Sequence, residues 1–401
     1  MNVTISPGRL SGQVSAPPSK SMAHRYLIAA ALADGESHIA GISSSEDISA
    51  TVDCLRALGA EISLSGNTAT VRGFDPQKAS PTSALNARES GSTLRFLIPL
   101  AWLSGRAITF LGSERLLARP LSIYSEIAER LGLGFSREER SLTVRGRITG
   151  GHYPVRGDIS SQFITGLLFA LPLTSEGGSL LLLPPVESRS YLDLTLSALR
   201  RFGVTVKEEG NLFTVPPVGR FSPCDVAVEG DYSNAAFFDA LALLGHEVEV
   251  SGLDAASSQG DRVYREYFAA LDAGMPTLSL ADCPDLGPIL MAVAAAKGGA
   301  RFTNTRRLAV KESDRGAAMA EELRKLGCRV LLGEDEITVP PALLHAPSVP
   351  LSGHNDHRIV MALSTLLSRL GGTIEGAEAV NKSLPEYFEI LKSIGCKVEY
   401  K

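Results

Sequence analysis

A short phrase occurs six times along the chain: an apolar residue, then glycine, then a strand-like run. Many helices end in this way, because glycine adopts the left-handed conformation at little cost before the chain turns into a strand. The six phrases are Leu58-Gly59, Leu131-Gly132, Phe202-Gly203, Ala273-Gly274, Leu326-Gly327 and Ile394-Gly395. The regular recurrence predicts that the chain folds by packing six copies of one supersecondary unit.

A second feature precedes each phrase by about 40 residues. Small polar residues are followed by ten or more mostly apolar residues, which is typical of an N-capped, buried helix. The six predicted starts are Ser21, Ser92, Ser161, Tyr232, Asp285 and Asp356. The fourth copy is short, because residues are missing between Gly274 and Asp285. We predict that this copy lacks a hairpin.

Each repeat is therefore predicted to contain a strand, a buried helix, a second strand, a second helix and a pair of strands. The pair is clearest at 61–64 and 68–71, around Ser65-Gly66-Asn67. The fold class is α/β. A chain of 401 residues exceeds the ~250–300 residues of one core, so the six units suit two domains of three units each. The proline-rich stretch 216–223 is the predicted boundary.

Composition excludes several classes of protein. Lys and Arg number 39 against 44 Asp and Glu, a net charge of −5 that argues against a nucleic-acid or anionic-membrane partner. The five cysteines show no Cys-x-x-Cys spacing, so the sequence predicts neither disulfides nor a zinc site. No run approaches the ~18 apolar residues of a membrane span. These features predict a soluble, cytoplasmic protein.

Basic residues gather near several of the predicted helix starts. Helix N-termini carry unpaired N–H groups and the positive end of the macrodipole, so several starts brought together would bind anions. Lys20 in a first turn opposes the helix dipole, which calls for solvent or an anion beside it. The alternative is that the polar residues at these starts, Asp285 included, are only caps worth ~1 kcal/mol each.

The segment 311–315 and the segment 354–358 also carry charged groups. Lys311 and Arg315 would lie on one helix face, where a shared anion would relieve their repulsion. Alternatively, Glu312 and Arg315 form an ordinary surface ion pair. His354 and His357 are spaced for a metal, but no third ligand completes a site, so no metal is predicted.

Seven short motifs, taken in order, resemble the 5-enolpyruvylshikimate-3-phosphate (EPSP) synthase family of enolpyruvyl transferases. They span nearly the whole chain: Ser19-Lys20-Ser21 with Arg25, Ser90-Gly91-Ser92 with Arg95, Arg119-Pro120, Ser160-Ser161-Gln162-Phe163, Lys311-Glu312-Ser313-Asp314-Arg315, Asn355-Asp356-His357-Arg358 and Lys382. The resemblance implies a two-domain inside-out α/β barrel in which each domain has three βαβαββ-like repeats with buried helices. It places residues 1–18 and 229–401 in one domain, 19–228 in the other, and the active site in the cleft between them.

The resemblance implies transfer of the enolpyruvyl group of phosphoenolpyruvate to the 5-hydroxyl of shikimate 3-phosphate, with release of phosphate, in the shikimate pathway. It implies no cofactor and a monomer. The residues implied for shikimate 3-phosphate are Lys20, Ser21, Arg25, Ser160, Ser161, Gln162, Ser188, Tyr191, Asp285 and Lys311. Those implied for phosphoenolpyruvate are Lys20, Gly91, Arg119, Gln162, Arg315, Arg358 and Lys382.

The implied chemistry is addition followed by elimination. Asp285 accepts the hydroxyl proton, and either Glu312 or Lys20 transfers the methylene proton, an alternative that the sequence leaves open. Gly91 would let the backbone approach phosphoenolpyruvate, so that a side chain there crowds a competitive inhibitor such as glyphosate.

Three positions depart from the best-known members of the family: Glu89 and Arg307 stand where those carry Asn, and Ser92 stands where they carry Thr and keeps a hydroxyl. Arg307 would add a cation for the substrate phosphate. The nearest alternative is the related transferase that acts on UDP-N-acetylglucosamine, which uses a cysteine in the loop before its Arg-Pro; residues 112–119 contain none. A noncatalytic repeat scaffold that binds anions is the alternative from another class.

Overall fold

The chain divides into two compact units in the computed structural model, which describes residues 1–81 and 83–401. The discontinuous unit comprises Met1–Pro17 and Glu229–Lys401, and the inserted unit comprises Pro18–Val228. The proline-rich stretch 216–223 lies inside the inserted unit, where the Gly219 amide donates to the Pro172 carbonyl. The predicted boundary at this stretch was therefore wrong, because its prolines end a strand within the unit instead of linking two units.

Two short strands at the N-terminus, β1 (Asn2–Ser6) and β2 (Ser11–Ser15), belong to the discontinuous unit. The inserted unit then contains three repeats. The first has α1 (Lys20–Ala31), β3 (Glu36–Ala40), α2 (Glu46–Leu58), β4 (Glu61–Ser65) and β5 (Thr68–Arg72). The second has β6 (Leu85–Asn86), α3 (Gly91–Leu103), β7 (Gly105–Leu111), α4 (Glu114–Ala118), α5 (Ser122–Leu131), β8 (Gly134–Arg137) and β9 (Ser141–Gly146). The third has β10 (Gly151–Arg156), α6 (Ser161–Ala170), β11 (Gly178–Leu183), α7 (Arg189–Arg201), β12 (Lys207–Glu209) and β13 (Leu212–Val215), followed by β14 (Val226–Ala227).

Each repeat of the inserted unit forms a four-stranded sheet. The orders are β14-β3-β5-β4, β6-β7-β9-β8 and β10-β11-β13-β12. In every sheet the first pair is parallel and the remaining pairs are antiparallel, as a βαβ crossover followed by a hairpin requires. The first repeat takes its leading strand, β14, from the chain that follows the third repeat.

The remainder of the discontinuous unit contains repeats four to six. The fourth has α8 (Tyr232–Leu243), β15 (Glu247–Ser251) and α9 (Tyr264–Ala273). The fifth has β16 (Thr277–Ser279), α10 (Gly287–Ala296), β17 (Ala300–Thr303), α11 (Arg315–Lys325), β18 (Leu331–Leu332) and β19 (Glu336–Val339). The sixth has β20 (Leu351–Ser352), α12 (His357–Leu370), β21 (Gly372–Glu375), α13 (Tyr387–Ser393) and β22 (Lys397–Tyr400).

The fourth repeat forms only a two-stranded sheet, β15-β2, whereas its neighbours form the four-stranded sheets β16-β17-β19-β18 and β20-β21-β1-β22. The predicted loss of a hairpin is confirmed. Strand β1 pairs antiparallel with both β21 and β22, so the N-terminus completes the last sheet of the chain. Among the described residues the six sheets stay separate, and hydrogen bonds do not close them into one barrel.

Buried helices fill the core of each unit. Helix α10 is apolar on every side, and all of its residues from Gly287 to Ala295 are buried, so packing rather than amphipathicity stabilises it. The predicted helix ends at Gly59, Gly132, Gly203, Gly327 and Gly395 have positive φ. Gly274 instead has an extended φ of 160°, outside the left-handed region. No helix within 1–81 or 83–401 is both long and apolar enough to cross a bilayer.

Candidate active site

Asp285 lies in a 3-10 turn (Pro284–Leu286) that leads into α10. Its Oδ1 is 3.1 Å from the Lys311 Nζ and 2.8 Å from the Arg315 Nη1, and its Oδ2 is 3.0 Å from the Arg358 Nη2. The alternative that Asp285 is only a cap is wrong, because α10 begins at Gly287 and receives no side-chain cap. The Asp285 carboxylate contacts these three cations instead of capping the helix.

These cations determine the protonation state of Asp285. Burial alone would raise its pKa, but the positive charges of Arg358, Lys311 and Arg315 together hold the pKa well below its usual range. Asp285 is therefore ionised at neutral pH. Burial lowers the pKa of Lys311, and the nearby charge of Arg307 acts in the same direction.

Arg315 is the first residue of α11 and only 1% of its side chain is exposed. Its guanidinium donates to Asp285, to the Glu312 Oε2 at 2.7 Å and to the Asp356 Oδ2 at 2.9 Å. The predicted shared helix face for Lys311 and Arg315 was wrong, because the helix begins only at Arg315. The two residues do share an anion, and that anion is the Asp285 carboxylate. The Glu312–Arg315 pair is buried at its arginine end, so it is not an ordinary surface pair.

Asp356 connects this cluster to the start of α12. Its Oδ1 caps the Arg358 amide at 3.0 Å, while its Oδ2 accepts from Ser313 and Arg315. Lys382 donates to the Asn355 carbonyl at 2.6 Å. Arg358 and Lys382 are therefore both held at the N-terminal end of α12, which adds its own positive dipole.

The histidine pair predicted not to bind metal lies beside this loop. His354 Nε2 is 2.8 Å from Glu322 Oε1, and Glu321, Glu322 and His354 form a group of potential metal ligands among the described residues. The Lys325 ammonium already contacts both Glu322 oxygens, at 2.8 and 2.9 Å. The Lys325 ammonium thus compensates the charge of the buried Glu322 carboxylate, and we assign no metal to this group. The contact between His354 and Glu322 connects the loop before α12 to α11.

In the inserted unit, Lys20 begins α1 and forms an ion pair with Asp47 on α2, with Nζ 2.8 Å from Oδ2. The sequence argument, which offered solvent or a bound anion, missed this partner. Ser19 caps the helix through the Met22 amide. The pair is mostly buried, with 15% of the Lys20 side chain and 13% of the Asp47 side chain exposed.

Arg25 contacts two of the other residues predicted for shikimate 3-phosphate, Ser21 and Tyr191. Its Nη1 donates to the Ser21 carbonyl at 2.7 Å and its Nη2 to the Tyr191 carbonyl at 3.0 Å. Burial lowers the pKa of Arg25 to about 10, so it remains a cation. Ser188 precedes α7 with φ of 54° and is fully buried. A left-handed serine is strained, and here it turns the chain into α7.

Two residues predicted for phosphoenolpyruvate, Arg119 and Gln162, lie beside Gly91, the first residue of α3. A Cβ on Gly91 would lie 3.0 Å from the Arg119 Nη1 and 3.5 Å from the Gln162 Oε1. Gln162 is fixed from both ends of its amide: Oε1 accepts from Arg95 at 2.6 Å, and Nε2 donates to Ser92 at 3.0 Å. Ser160 caps α6, and Ser161 is its first residue.

The structure thus groups every predicted site residue into two sets, one in each unit. The set in the inserted unit is Lys20, Ser21, Arg25, Gly91, Arg119, Ser160, Ser161, Gln162, Ser188 and Tyr191. The set in the discontinuous unit is Asp285, Lys311, Glu312, Arg315, Arg358 and Lys382. The predicted site residues do not include Asp47, Arg95 and Asp261, although each interacts with one of them. The sequence did contain a signal for Arg95, because this basic residue lies just after a predicted helix start.

Asp261 is a second buried carboxyl group of the discontinuous unit and is 5% exposed. Ser233 on α8 donates to it. Burial, aided by the negative charge of Asp285, raises the pKa of Asp261 to about 7. Asp261 therefore titrates near neutrality while Asp285 stays ionised.

We expect Asp261→Asn to change how stability depends on pH. A carboxyl whose pKa is raised in the folded state binds more protons folded than unfolded, so the contribution of Asp261 to wild-type stability falls as pH rises from about 4 to about 7. Asn has the same shape and does not titrate. The variant should gain up to a few kcal/mol over wild type across this window, since each pKa unit is worth about 1.4 kcal/mol.

Urea unfolding at pH 4.5, 6 and 7.5 measures this difference. Glu334→Gln is the control, because Glu334 is 91% exposed and its substitution should shift all three midpoints equally. A constant difference between Asp261→Asn and wild type over the three pH values would contradict the assignment.

The chain is similar to known proteins over nearly its whole length. A family model described as EPSP synthase (3-phosphoshikimate 1-carboxyvinyltransferase) matches residues 5–391. A 3-phosphoshikimate 1-carboxyvinyltransferase of Clostridium perfringens is 38% identical, over 98% of this chain and 98% of its own length. The enzyme of that name in Clostridium kluyveri is also 38% identical, over 99% of this chain and 98% of its own.

Two solved structures share the fold. The EPSP synthase of Acinetobacter baumannii superimposes with a TM-score of 0.78 at 24% identity and covers 100% of both chains. The enolpyruvyl transferase NikO of Streptomyces tendae superimposes with a TM-score of 0.80 at 16% identity, covering 100% of this chain and 98% of its own. At these identities the likeness concerns the fold alone.

Proposed function

This chain belongs to the EPSP synthase family, and from that premise we propose how its own residues carry out the reaction. It is a 3-phosphoshikimate 1-carboxyvinyltransferase of the shikimate pathway. The enolpyruvyl group of phosphoenolpyruvate passes to the 5-hydroxyl of shikimate 3-phosphate, and inorganic phosphate is released. The test is release of phosphate that requires both substrates.

The observation that supports these roles best is the Asp285 carboxylate surrounded by Lys311, Arg315 and Arg358. We propose that Asp285 removes the proton from the 5-hydroxyl as that oxygen attacks the central carbon of phosphoenolpyruvate. In the ligand-free protein its lowered pKa makes it a weak base. Anionic substrates beside the same cations oppose that effect, so binding raises the Asp285 pKa toward the value a general base needs.

The addition step also needs a proton on the methylene carbon, and the elimination step removes a proton from the resulting methyl group while phosphate leaves. We propose Glu312 or Lys20 for this transfer. Glu312 forms an ion pair with Arg315, and Lys20 forms an ion pair with Asp47. The surrounding cations stabilise the negative charge on the departing phosphate, which is often the largest catalytic effect in such sites.

We propose that the set in the inserted unit binds both substrates. The residues around Arg25, together with Ser160 and Ser161 at the start of α6, bind shikimate 3-phosphate, with Asp285 and Lys311 of the discontinuous unit contributing. Gly91 and Arg119 bind phosphoenolpyruvate, with Lys20 and Gln162 contacting both substrates.

Arg358, Lys382 and Arg315 complete the phosphoenolpyruvate set. The Arg315 guanidinium donates to three carboxylates. For Arg315 to contact phosphoenolpyruvate, the substrate must replace one of these carboxylates.

We also propose that the protein acts as a monomer in the cytoplasm. One chain supplies both sets of residues, and its five cysteines are all free thiols, as in a reducing compartment.

We expect Gly91→Ala to weaken phosphoenolpyruvate binding and to weaken inhibition by glyphosate more strongly. The new methyl group would lie within 3.5 Å of Arg119, Arg95 and Gln162, whose flexible ends can shift by a few tenths of an ångström. The fold should therefore survive, while the space beside these groups shrinks. We expect roughly a tenfold rise in the KM for phosphoenolpyruvate, about 1.4 kcal/mol, and a larger rise in the glyphosate inhibition constant.

Steady-state kinetics with and without glyphosate measures both effects. Gly66→Ala is not a suitable control, because Gly66 has a φ of 58°; Gly8→Ala is, because its Cβ would meet no atom within 4 Å. Unchanged glyphosate inhibition in an active Gly91→Ala variant would show that the crowding argument is wrong.

A further inference from the structure

Two buried hydrogen-bond networks begin at adjacent residues of α1 and run in different directions through the inserted unit. His24 begins one and Arg25 begins the other, and these side chains are 1% and 2% exposed. Apart from Arg25 and Tyr191, none of their members belongs to the predicted binding residues. Interior hydroxyl groups are costly to bury unless they are satisfied, so two such networks in an otherwise apolar core call for an explanation.

The His24 network comprises His24, Thr51, Thr93 and Ser90. His24 Nδ1 is 2.8 Å from the Thr51 Oγ1, which is 2.6 Å from the Thr93 Oγ1, which donates to the Ser90 Oγ at 2.7 Å. All four side chains are at most 1% exposed. The network joins α1, α2 and the cap of α3, and it ends at the residue immediately before Gly91.

The hydrogen atoms of this network can point in only one direction. The Thr93 hydroxyl donates its single proton to Ser90 at 2.7 Å, with the Asp47 carbonyl as a more distant acceptor at 3.5 Å. The Thr51 hydroxyl must therefore donate to Thr93, and His24 must donate to Thr51 from a protonated Nδ1. His24 Nε2 then carries no proton, and no hydrogen-bond partner for that buried atom is found. Burial, together with the charges of Lys20 and Arg25, lowers the His24 pKa well below its usual value, which fits a neutral ring.

The Arg25 network comprises Arg25, Thr195, Thr165 and Tyr191. Arg25 Nε donates to the Thr195 Oγ1 at 2.9 Å, and the Thr195 hydroxyl donates to the Tyr191 carbonyl at 3.0 Å. Thr165 Oγ1 lies 2.8 Å from the Thr195 Oγ1 and is therefore the donor of that pair. Thr165 and Thr195 are fully buried. This network joins α1, α6 and α7, the helices that carry the proposed shikimate 3-phosphate residues.

We propose that Thr93 and Thr165 are positioning residues, each serving one substrate: Thr93 holds the first turn of α3 with Gly91 for phosphoenolpyruvate, and Thr165 holds α6 and α7 for shikimate 3-phosphate. Neither hydroxyl is placed to touch a ligand; each acts through the backbone and side chains that do. The inference rests on the proposed function and assigns separate structural support to its two substrates.

Thr93→Val and Thr165→Val test the inference, because valine keeps the shape of threonine and removes only the hydroxyl. We expect Thr93→Val to raise the KM for phosphoenolpyruvate about tenfold and to leave the KM for shikimate 3-phosphate within twofold. Thr165→Val should raise the KM for shikimate 3-phosphate about tenfold and the KM for phosphoenolpyruvate less, because α6 also carries Gln162. Misplacement of a binding group by about 1 Å costs up to ~100-fold in rate, so smaller shifts in α3 or α6 give effects of this size. Calorimetric titration with shikimate 3-phosphate alone should show weaker binding only for Thr165→Val.

Each variant is the control for the other, and Thr93→Ser and Thr165→Ser, which keep the hydroxyl, should restore the respective KM. If Thr93→Val does not fold, Thr51→Val interrupts the same network on α2 and should give the same substrate-specific effect. Nitrogen NMR of His24 should show the neutral Nδ1–H form from pH 6 to 8.

Equal effects of the two valine variants on both substrates, or a loss of stability with both KM values unchanged, would overturn the inference. Failure of the wild type to release phosphate from the two substrates would instead refute the proposed function.

Discussion

Asp285→Asn is expected to lower kcat by about a thousandfold, since general acid–base catalysis contributes 10²–10⁴-fold in enzymes. Asparagine has the shape of aspartate and an oxygen that still accepts from Arg358 or Arg315, so the fold should be retained. It lacks the negative charge that accepts the proton of the 5-hydroxyl. The loss should therefore appear in kcat and much less in the KM of either substrate.

Initial rates of phosphate release at saturating substrates measure this effect. Asp272→Asn is a matched control in the same unit, because Asp272 is 58% exposed and pairs only with Lys297 at the surface. We expect the control to keep wild-type kcat. A decrease of less than tenfold in folded Asp285→Asn would show that Asp285 is not the base.

Arg315→Met is expected to produce the largest loss of stability, about 3–5 kcal/mol. Breaking a buried ion pair from one side leaves uncompensated charge in the interior. Arg315 compensates three carboxylates at once, and Asp356 among them is fully buried. Methionine fills similar space but provides no charge. The apparent Tm should fall by roughly 10 °C, at about 2–4 °C per kcal/mol for a unit of this size.

Scanning calorimetry measures the shift, and Arg301→Met is the control, because the Arg301–Glu336 pair is half exposed and such pairs contribute about 0–1 kcal/mol.

The pH dependence of the Arg315→Met destabilisation gives a second readout. Asp285 and Asp356 have lowered pKa values in the wild type, which stabilise the fold above their unfolded pKa. Without Arg315 those pKa values rise, so the destabilisation should shrink as pH falls from 8 to 5. Equal Tm shifts for Arg315→Met and Arg301→Met would contradict this account of the cluster.

Local sequence signals predicted the repeated architecture well. The helix starts predicted from capping residues and apolar runs lie within two residues of the observed ones, and Ser161 and Tyr232 match their helices to the residue. The missing hairpin of the fourth repeat was predicted from length alone. Helix caps and hydrophobic periodicity depend on residues that are close together in the chain, so they can be predicted from a single sequence.

Long-range partners could not be predicted in this way. Lys20 pairs with Asp47, and Arg315 with Asp356, because buried helices bring distant positions together. The sequence suggested an anion between Lys311 and Arg315 but gave no means of recognising it as Asp285. The hydroxyl networks of Thr93 and Thr165 were missed for the same reason: isolated threonines in apolar helices carry no signal until their partners are known.

Release of inorganic phosphate from the purified wild-type protein tests the central claim most directly. The protein is incubated with shikimate 3-phosphate and phosphoenolpyruvate together, with each alone, and with UDP-N-acetylglucosamine in place of shikimate 3-phosphate. The account predicts release only when shikimate 3-phosphate and phosphoenolpyruvate are both present. No release from that pair, or release that requires the UDP-sugar instead, would contradict it.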